Sequence, residues 1–312
     1  MHEYWLHRLS PFALQITESI GIRWYGVAYV LSFLCAGWLY RHLATRRLNP
    51  LRPDDVPDFI QWAALFGVLI GGRLGYALFY GFHKDDPFEI FRVWEGGMSS
   101  HGGILGLVLF TLYWSKKRGV SWTGIGDSLV VVAPVGLFLV RMANFINGEL
   151  YGRVASVSWA MLFPGEIRER GELLAGSVLE GRDVDEIISL SRVDDGVANI
   201  LRKILTPRHP SQIYEALLEG VLLFTMLWII RTRCRVPRGV LTGTFFVGYA
   251  ILRIIGEQFR QPEDWTYGMP RGVFLSIFMI AIGFVFWAWA YRQQEFEEGL
   301  MEGRGEENRR DA

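Results

Sequence analysis

Cysteine is scarce in this chain: Cys35 and Cys234 are the only two, far apart and without the spacing of metal ligands. That excludes a disulfide scaffold and a cysteine zinc site, and leaves two unpaired thiols. Net charge is absent too, with 32 basic and 32 acidic residues, so no basic excess points to nucleic acid. There is no glycine loop ending in a lysine to cradle phosphate, no serine elbow and no cluster with metal-ligand spacing. No internal repeat is visible, which weighs against transport folds built from paired halves. The first twenty residues lack the basic-then-apolar order of a cleaved signal peptide, so membrane targeting is expected to come from the spans themselves.

What the chain has is apolar sequence arranged in long runs. A hydrophobic share of 51% does not by itself separate it from soluble domains, which reach about 45–50%. The arrangement does, because charges cluster between the runs instead of spreading along amphipathic elements. A span needs about 20 apolar residues to cross a hydrocarbon core of roughly 30 Å. Seven are expected, at about 22–41, 58–81, 98–115, 124–146, 210–230, 239–258 and 270–291. The fold expected is an all-α polytopic membrane protein of seven transmembrane helices, forming one integral membrane domain over 1–312.

One set of short loops carries Arg41, Arg46, Arg47 and Arg52, then Lys116, Lys117 and Arg118, then Arg231, Arg233, Arg235 and Arg238. The opposite set carries only Lys84, Arg92, Arg260 and Arg271. The basic loops are therefore expected to be cytoplasmic. That puts the N-terminus outside and a charged tail, 293–312, inside. Residues 150–208, between the fourth and fifth spans, are too long for a turn and too polar to cross. They are expected to form a small extracytoplasmic head with short strand-like pieces such as 158–164.

A helix rises about 1.5 Å per residue, so residue counts become depths. Arg73, Arg141 and Arg253 each fall about 20 Å from the cytoplasmic start of their spans, roughly 10 Å below the outer surface. His101 falls about 5 Å below that surface, where Tyr25 opens the first span and Glu149 closes the fourth. Arg141 and Asn144 are spaced i, i+3, and Arg253, Glu257 and Arg260 are spaced i, i+4, i+7, which puts them on one face. Intramembrane charges read as functional by default, but each has a plainer reading. Arg73 either snorkels or forms an ion pair instead of meeting a ligand. Arg260 tethers the interface, Glu257 pairs with Arg253, and Gly71, Gly72, Gly75, Gly102, Gly103 and Gly106 let helices approach closely.

Two arginines near the outer leaflet suit an anionic group, and the guanidinium fork matches phosphate bidentately. His101 has an unperturbed pKa near neutrality and suits proton transfer from a nucleophile. The residues by themselves point to a membrane enzyme or binder acting on an anionic phospholipid from the outer face. A lipid transporter would use the same arginines but needs a polar path to the inner face. A scaffold would leave them without a purpose.

Arg141-Met-Ala-Asn-Phe-Ile-Asn-Gly-Glu-Leu-Tyr-Gly152 resembles the signature of the bacterial prolipoprotein diacylglyceryl transferases. Segments 22–26, 71–76, 97–103, 159–164, 209–215 and 253–262 resemble further motifs of that family, in order through all seven spans. Val140 and Met142-Ala143 depart from the family's commoner residues, and the acidic segment 153–208 is poorly matched. The resemblance implies transfer of the diacylglyceryl group of phosphatidylglycerol to the lipobox cysteine of a preprolipoprotein signal peptide, in the bacterial inner membrane. It implies no cofactor and no metal. It further implies that Arg141 and Arg253 are essential, and His101 is expected to assist thiol deprotonation as a third catalytic group. Tyr25, Arg73, Asn144, Glu149, Gly152 and Glu257 are placed around the substrate.

Overall fold

A computed structural model of the chain describes residues 4–15, 21–80, 97–262 and 264–299. The loop expected to hold Lys84 and Arg92 and the tail beyond 299 lie outside the described residues.

The long helices are α1 (Trp24–Thr45), α2 (Pro53–Leu78), α3 (Ser100–Arg118) and α4 (Trp122–Asn147). Two shorter ones, α5 (Val184–Val193) and α6 (Asp195–Ile204), precede α7 (Ser211–Arg233), α8 (Val240–Glu257) and α9 (Arg271–Gln293). Six of them, α1, α2, α4, α7, α8 and α9, are long and apolar enough to cross a membrane. The chain is thus a mostly helical polytopic membrane protein. The expected third span falls on α3, which is long but carries His101, three glycines near its start and Lys116, Lys117 and Arg118 in its last turn.

By contacts the described residues form two compact units. One comprises the residues up to Ser32, Pro134–Thr225 and Phe246–Ile282. Between α4 and α7 it carries a hydrophobic cluster made by Ile167, Leu174, Leu179, Ile187, Ile188, Ala198 and Leu201, with Leu6 from the N-terminal segment. The sequence dictates this core locally. α5 and α6 are amphipathic, each opened by an aspartate: Asp183 accepts the Glu186 N–H, and Asp194 accepts those of Gly196 and Val197. Strand content there is smaller than expected. Within 158–164 only β4 (Met161–Leu162) forms, and it pairs parallel with β1 (Trp5–Leu6). Ahead of α1, β2 (Phe12–Gln15) pairs antiparallel with β3 (Gly21–Arg23), and β5 (Trp265–Thr266) and β6 (Met269–Pro270) form a hairpin before α9.

The other unit comprises Phe33–Ala133, Met226–Phe245 and the described residues from Gly283 on. In it α2 and α3 pack backbone to backbone. A Cβ on Gly71 would lie 2.8 Å from the Gly102 carbonyl oxygen, and one on Gly102 would lie 2.6 Å from Gly75 Cα. Of the glycines expected to permit close packing, Gly71, Gly75, Gly102 and Gly106 do so. Asp127, fully buried in α4, accepts the backbone N–H groups of Gly239 and Thr242 at 2.7 and 2.8 Å. It therefore caps the start of α8, where an anion is favoured.

Candidate functional site

The first unit gathers most of the polar residues singled out in the sequence. Four helices, α1, α4, α7 and α8, and the segments that follow α4 and α8 contribute. From α4 comes Arg141, and its guanidinium Nη1 stands 3.1 Å from Glu215 Oε2 while Nη2 stands 3.2 Å from Glu219 Oε2. From α8 comes Arg253, whose Nη1 lies 2.9 Å from Glu215 Oε1 and 3.3 Å from Glu219 Oε1. Its Nη2 stands 2.9 Å from Glu257 Oε2, although that oxygen is not on a hydrogen-bond direction. Arg260 completes the group, with Nη1 3.2 Å from Glu215 Oε1.

Glu215 and Glu219 are both fully buried. They sit one turn apart on α7, where the winding widens to π geometry over Ala216–Leu222. Unpaired carboxylates are not stable in such surroundings. Here three guanidinium groups face three carboxylates, so the cluster is formally neutral. Its hub is Glu215, which meets Arg141, Arg253 and Arg260.

These acids are what the sequence reading passed over. Glu215 entered it only as the last letter of a motif, and Glu219 not at all. The signal was present: two acids spaced i, i+4 in an otherwise apolar run on the fifth span. Two other expectations are adjusted. α8 ends at Glu257, so Arg260 lies beyond the helix face that spacing assigned to it. Instead of tethering the interface, it is buried against Glu215, and its backbone bridges Gly152. Arg141 and Asn144 are near in sequence but bond different groups, as the next contacts make plain.

Asn144, buried on the last turns of α4, donates from Nδ2 to Glu149 Oε1 at 3.0 Å and to the Tyr25 hydroxyl. Tyr25 in turn donates to Glu149 Oε1. The turn that presents Glu149 is bent sharply, with positive φ at Gly148 (69°) and Leu150 (54°). A left-handed leucine costs free energy and persists only where its surroundings fix it. They do: Gln212 Nε2 donates to the Glu149 carbonyl at 2.6 Å and Ser211 Oγ to the Leu150 carbonyl at 3.1 Å. Below the turn lies His7, stacked on Phe163 at 5.5 Å and edge-on to Phe145 at 5.5 Å. Burial pushes the His7 imidazole down to about 4, so it is neutral at pH 7.

Gly152 is a crossing point of backbones. Its N–H donates to the His209 carbonyl at 2.9 Å, and a Cβ there would lie 2.6 Å from that oxygen and 2.7 Å from His209 Cβ. His209 Nδ1 is 3.2 Å from the Tyr214 hydroxyl, and burial holds its pKa below the usual histidine value.

Tyr25, Arg141, Asn144, Glu149, Gly152, Arg253 and Glu257 thus share one unit. Arg73 and His101 belong to the other. There Arg73 is buried, donates from Nη1 to the Gly97 carbonyl at 2.8 Å and lies 5.6 Å over the Tyr76 ring. His101 occupies the first turn of α3 and is exposed.

Residues 11–289 match the family model described as prolipoprotein diacylglyceryl transferase. The chain is 39% identical over 295 residues to the phosphatidylglycerol–prolipoprotein diacylglyceryl transferase of Burkholderia mallei (strain SAVP1), covering 91% of this chain and 95% of that one. It is 37% identical over 287 residues to the protein of the same name from Neisseria gonorrhoeae (strain NCCP11945), covering 89% and 95%. The chain belongs to the prolipoprotein diacylglyceryl transferase family.

Proposed function

We propose that this member of the prolipoprotein diacylglyceryl transferase family transfers the diacylglyceryl group of phosphatidylglycerol to the lipobox cysteine of a preprolipoprotein, the first step of lipoprotein maturation. The cysteine S–H gives up its proton, sulfur bonds to the diacylglyceryl carbon, and the bond from that carbon to the phosphate oxygen breaks. A thioether forms and glycerol phosphate leaves. The reaction needs help at both ends. A thiol with an ordinary pKa near 8.5 is mostly protonated at neutral pH, and the departing phosphate gathers negative charge.

The observation that carries this reading is that Arg141 and Arg253 share one pair of buried carboxylates, Glu215 and Glu219. Two guanidinium forks held side by side suit the oxygens of a phosphodiester. The carboxylates do two things in this arrangement. They fix the orientation of forks that would otherwise swing, and they offset cationic charge that would hold the leaving phosphate too tightly. Unit charges about 4 Å apart interact by ~4 kcal/mol at an effective dielectric near 20. Each arginine can therefore trade a carboxylate contact for a phosphate contact at modest net cost. Tyr25, Asn144 and Glu149 form the polar wall that orients the headgroup, and Gly152 admits the close backbone that places it. His101 takes the thiol proton, and Arg73 assists phosphatidylglycerol binding.

In this reading α3 also crosses, as the third of seven spans, the N-terminus and residues 150–208 lie outside the bacterial inner membrane, and the tail from Arg292 lies in the cytoplasm. The acceptor arrives as a signal peptide within the same bilayer. Purified protein incubated with phosphatidylglycerol and a lipobox peptide should add a diacylglyceryl mass to the cysteine. Lipid movement in liposomes without that mass gain would favour transport instead. A folded His101→Ala variant that keeps full transfer would remove the base role.

A further inference from the structure

An apolar surface feature lies in the unit that does not contain the arginine cluster. α2 and α3 are drawn so close by their glycines that the outer surface of the pair is left as a trough of about 700 Å³. Its floor is glycine backbone and its walls are apolar, with Ile70, Leu74, Leu105 and Leu109 beside Phe66 and Phe110. The two ends differ in chemistry. Towards Leu78 and Gly102 everything is apolar. At the other end stand Trp62, Tyr113, Trp114 and Lys117.

Among the described residues, Lys117 is the one charged side chain that lines the trough. It is exposed, and its ammonium lies 5.6 Å from the Tyr113 ring, which turns it along the helix end. Trp114 is 6% exposed, and its indole N–H is buried without an acceptor among the described residues. A cation beside Trp62, Tyr113 and Trp114 at one end of an otherwise apolar trough matches an amphiphile with an anionic head. Aromatic rings of this kind gather at the headgroup level of a bilayer, and basic residues there attract anionic lipid.

Length narrows the occupant. From Gly102 to Lys117 the trough follows α3 for roughly 22 Å at 1.5 Å per residue. One leaflet of a ~30 Å core is about 15 Å deep, so the trough accepts an acyl chain drawn out beyond the depth of a disordered neighbour. A signal peptide is the wrong partner, because its start is positively charged and would meet Lys117.

We infer that the α2–α3 trough binds one anionic phospholipid of the cytoplasmic leaflet, its phosphate on Lys117 and one acyl chain along Leu109, Leu105 and Leu74. The leaflet assignment rests on the topology proposed above, while the site itself does not. This lipid is distinct from the one consumed in transfer, since none of these residues belongs to the arginine cluster.

The full-length protein, in nanodiscs containing phosphatidylglycerol with a diazirine on one acyl chain, provides the test after photolysis and peptide mapping. Label is expected on α2 and α3 peptides. It should fall about fivefold in Lys117→Gln, the value of roughly 1 kcal/mol per basic residue at a membrane surface. Leu109→Trp, which fills the trough without touching its glycine floor, should remove that label and leave label on α4 and α8 peptides unchanged. Diacylglyceryl transfer should survive both variants. Labelling of α2 and α3 that is unaffected by either variant, or equal with a zwitterionic diazirine lipid, would overturn the proposal. Label that reaches the trough only from the leaflet opposite the C-terminus would sink the topology and leave the site standing. Loss of transfer in Arg141→Ala, with the trough still labelled, would separate the two sites.

Discussion

The carboxylates under the arginine pair set a ranking that can be measured. Glu215→Gln removes one charge from a fully buried position and keeps the side-chain shape. Three guanidinium groups lose their common partner, from 3.1 Å at Arg141, 2.9 Å at Arg253 and 3.2 Å at Arg260. The cluster becomes formally +1. Breaking one buried ion pair by removing a partner costs about 3–5 kcal/mol. The retained amide oxygen still accepts one hydrogen bond, so the lower end of that range, about 3 kcal/mol, is expected. At about 2–4 °C per kcal/mol for a chain of this order, the thermal midpoint should fall by roughly 6–12 °C.

Glu219→Gln removes two contacts, at 3.2 Å to Arg141 and 3.3 Å to Arg253, and should cost less. Glu257→Gln removes one, a 2.9 Å approach off the hydrogen-bond direction, and should cost least. The effects will not add in double variants, because all three acids share Arg253. Tryptophan fluorescence during heating in one detergent gives the order, and transfer rate gives a second reading. The rate should follow the same order, since the acids that hold the forks are those whose loss frees them. A Glu257→Gln midpoint as low as that of Glu215→Gln, or a neutral Glu215→Gln, would refute the hub.

Arg141→Lys keeps the charge and loses the fork, so transfer should fall by about 10–100-fold, the worth of one charge-assisted hydrogen bond, while the thermal midpoint moves less than in Glu215→Gln. Gly152→Ala drives a Cβ to 2.6 Å from the His209 carbonyl oxygen; overpacking of that kind costs about 1–3 kcal/mol, seen as a lower midpoint and reduced transfer. His7 is neutral in the folded protein, with a pKa of about 4 against an ordinary 6.5, so the unfolded chain binds the extra proton between those values. Its contribution to stability is complete above pH 6.5 and is lost as pH falls towards 4, by up to about 3 kcal/mol; His7→Phe should flatten that part of the midpoint–pH curve, and an unchanged slope would remove His7 as its source.

Why the arginines were legible and their acids were not is a matter of what depth counting can weigh. A helix fixes 1.5 Å per residue, so Arg141 and Arg253 could be set at one level from their spans alone. Their meeting through Glu215 and Glu219 needs a third helix placed beside the other two, and periodicity does not say which helices touch. Burying a charge requires an opposite charge nearby, and applied to Arg141 that rule alone asks for an acid on another span. Glu219, in the apolar run Ala216–Leu222, answers it. The same reasoning applies to Arg260. Spacing placed it on the α8 face, but a strong ion pair and the Gly152 bridge hold it beyond the helix end, and backbone pairing of that kind has no period to read. Tyr25 and Glu149 were set at one level because each sits at a span end, where sequence position and depth coincide, whereas Asn144, paired by spacing with Arg141, bonds those two instead. Legibility therefore tracked the geometry. What one helix dictates was readable, and what two or three helices decide between them became visible only when they were assembled.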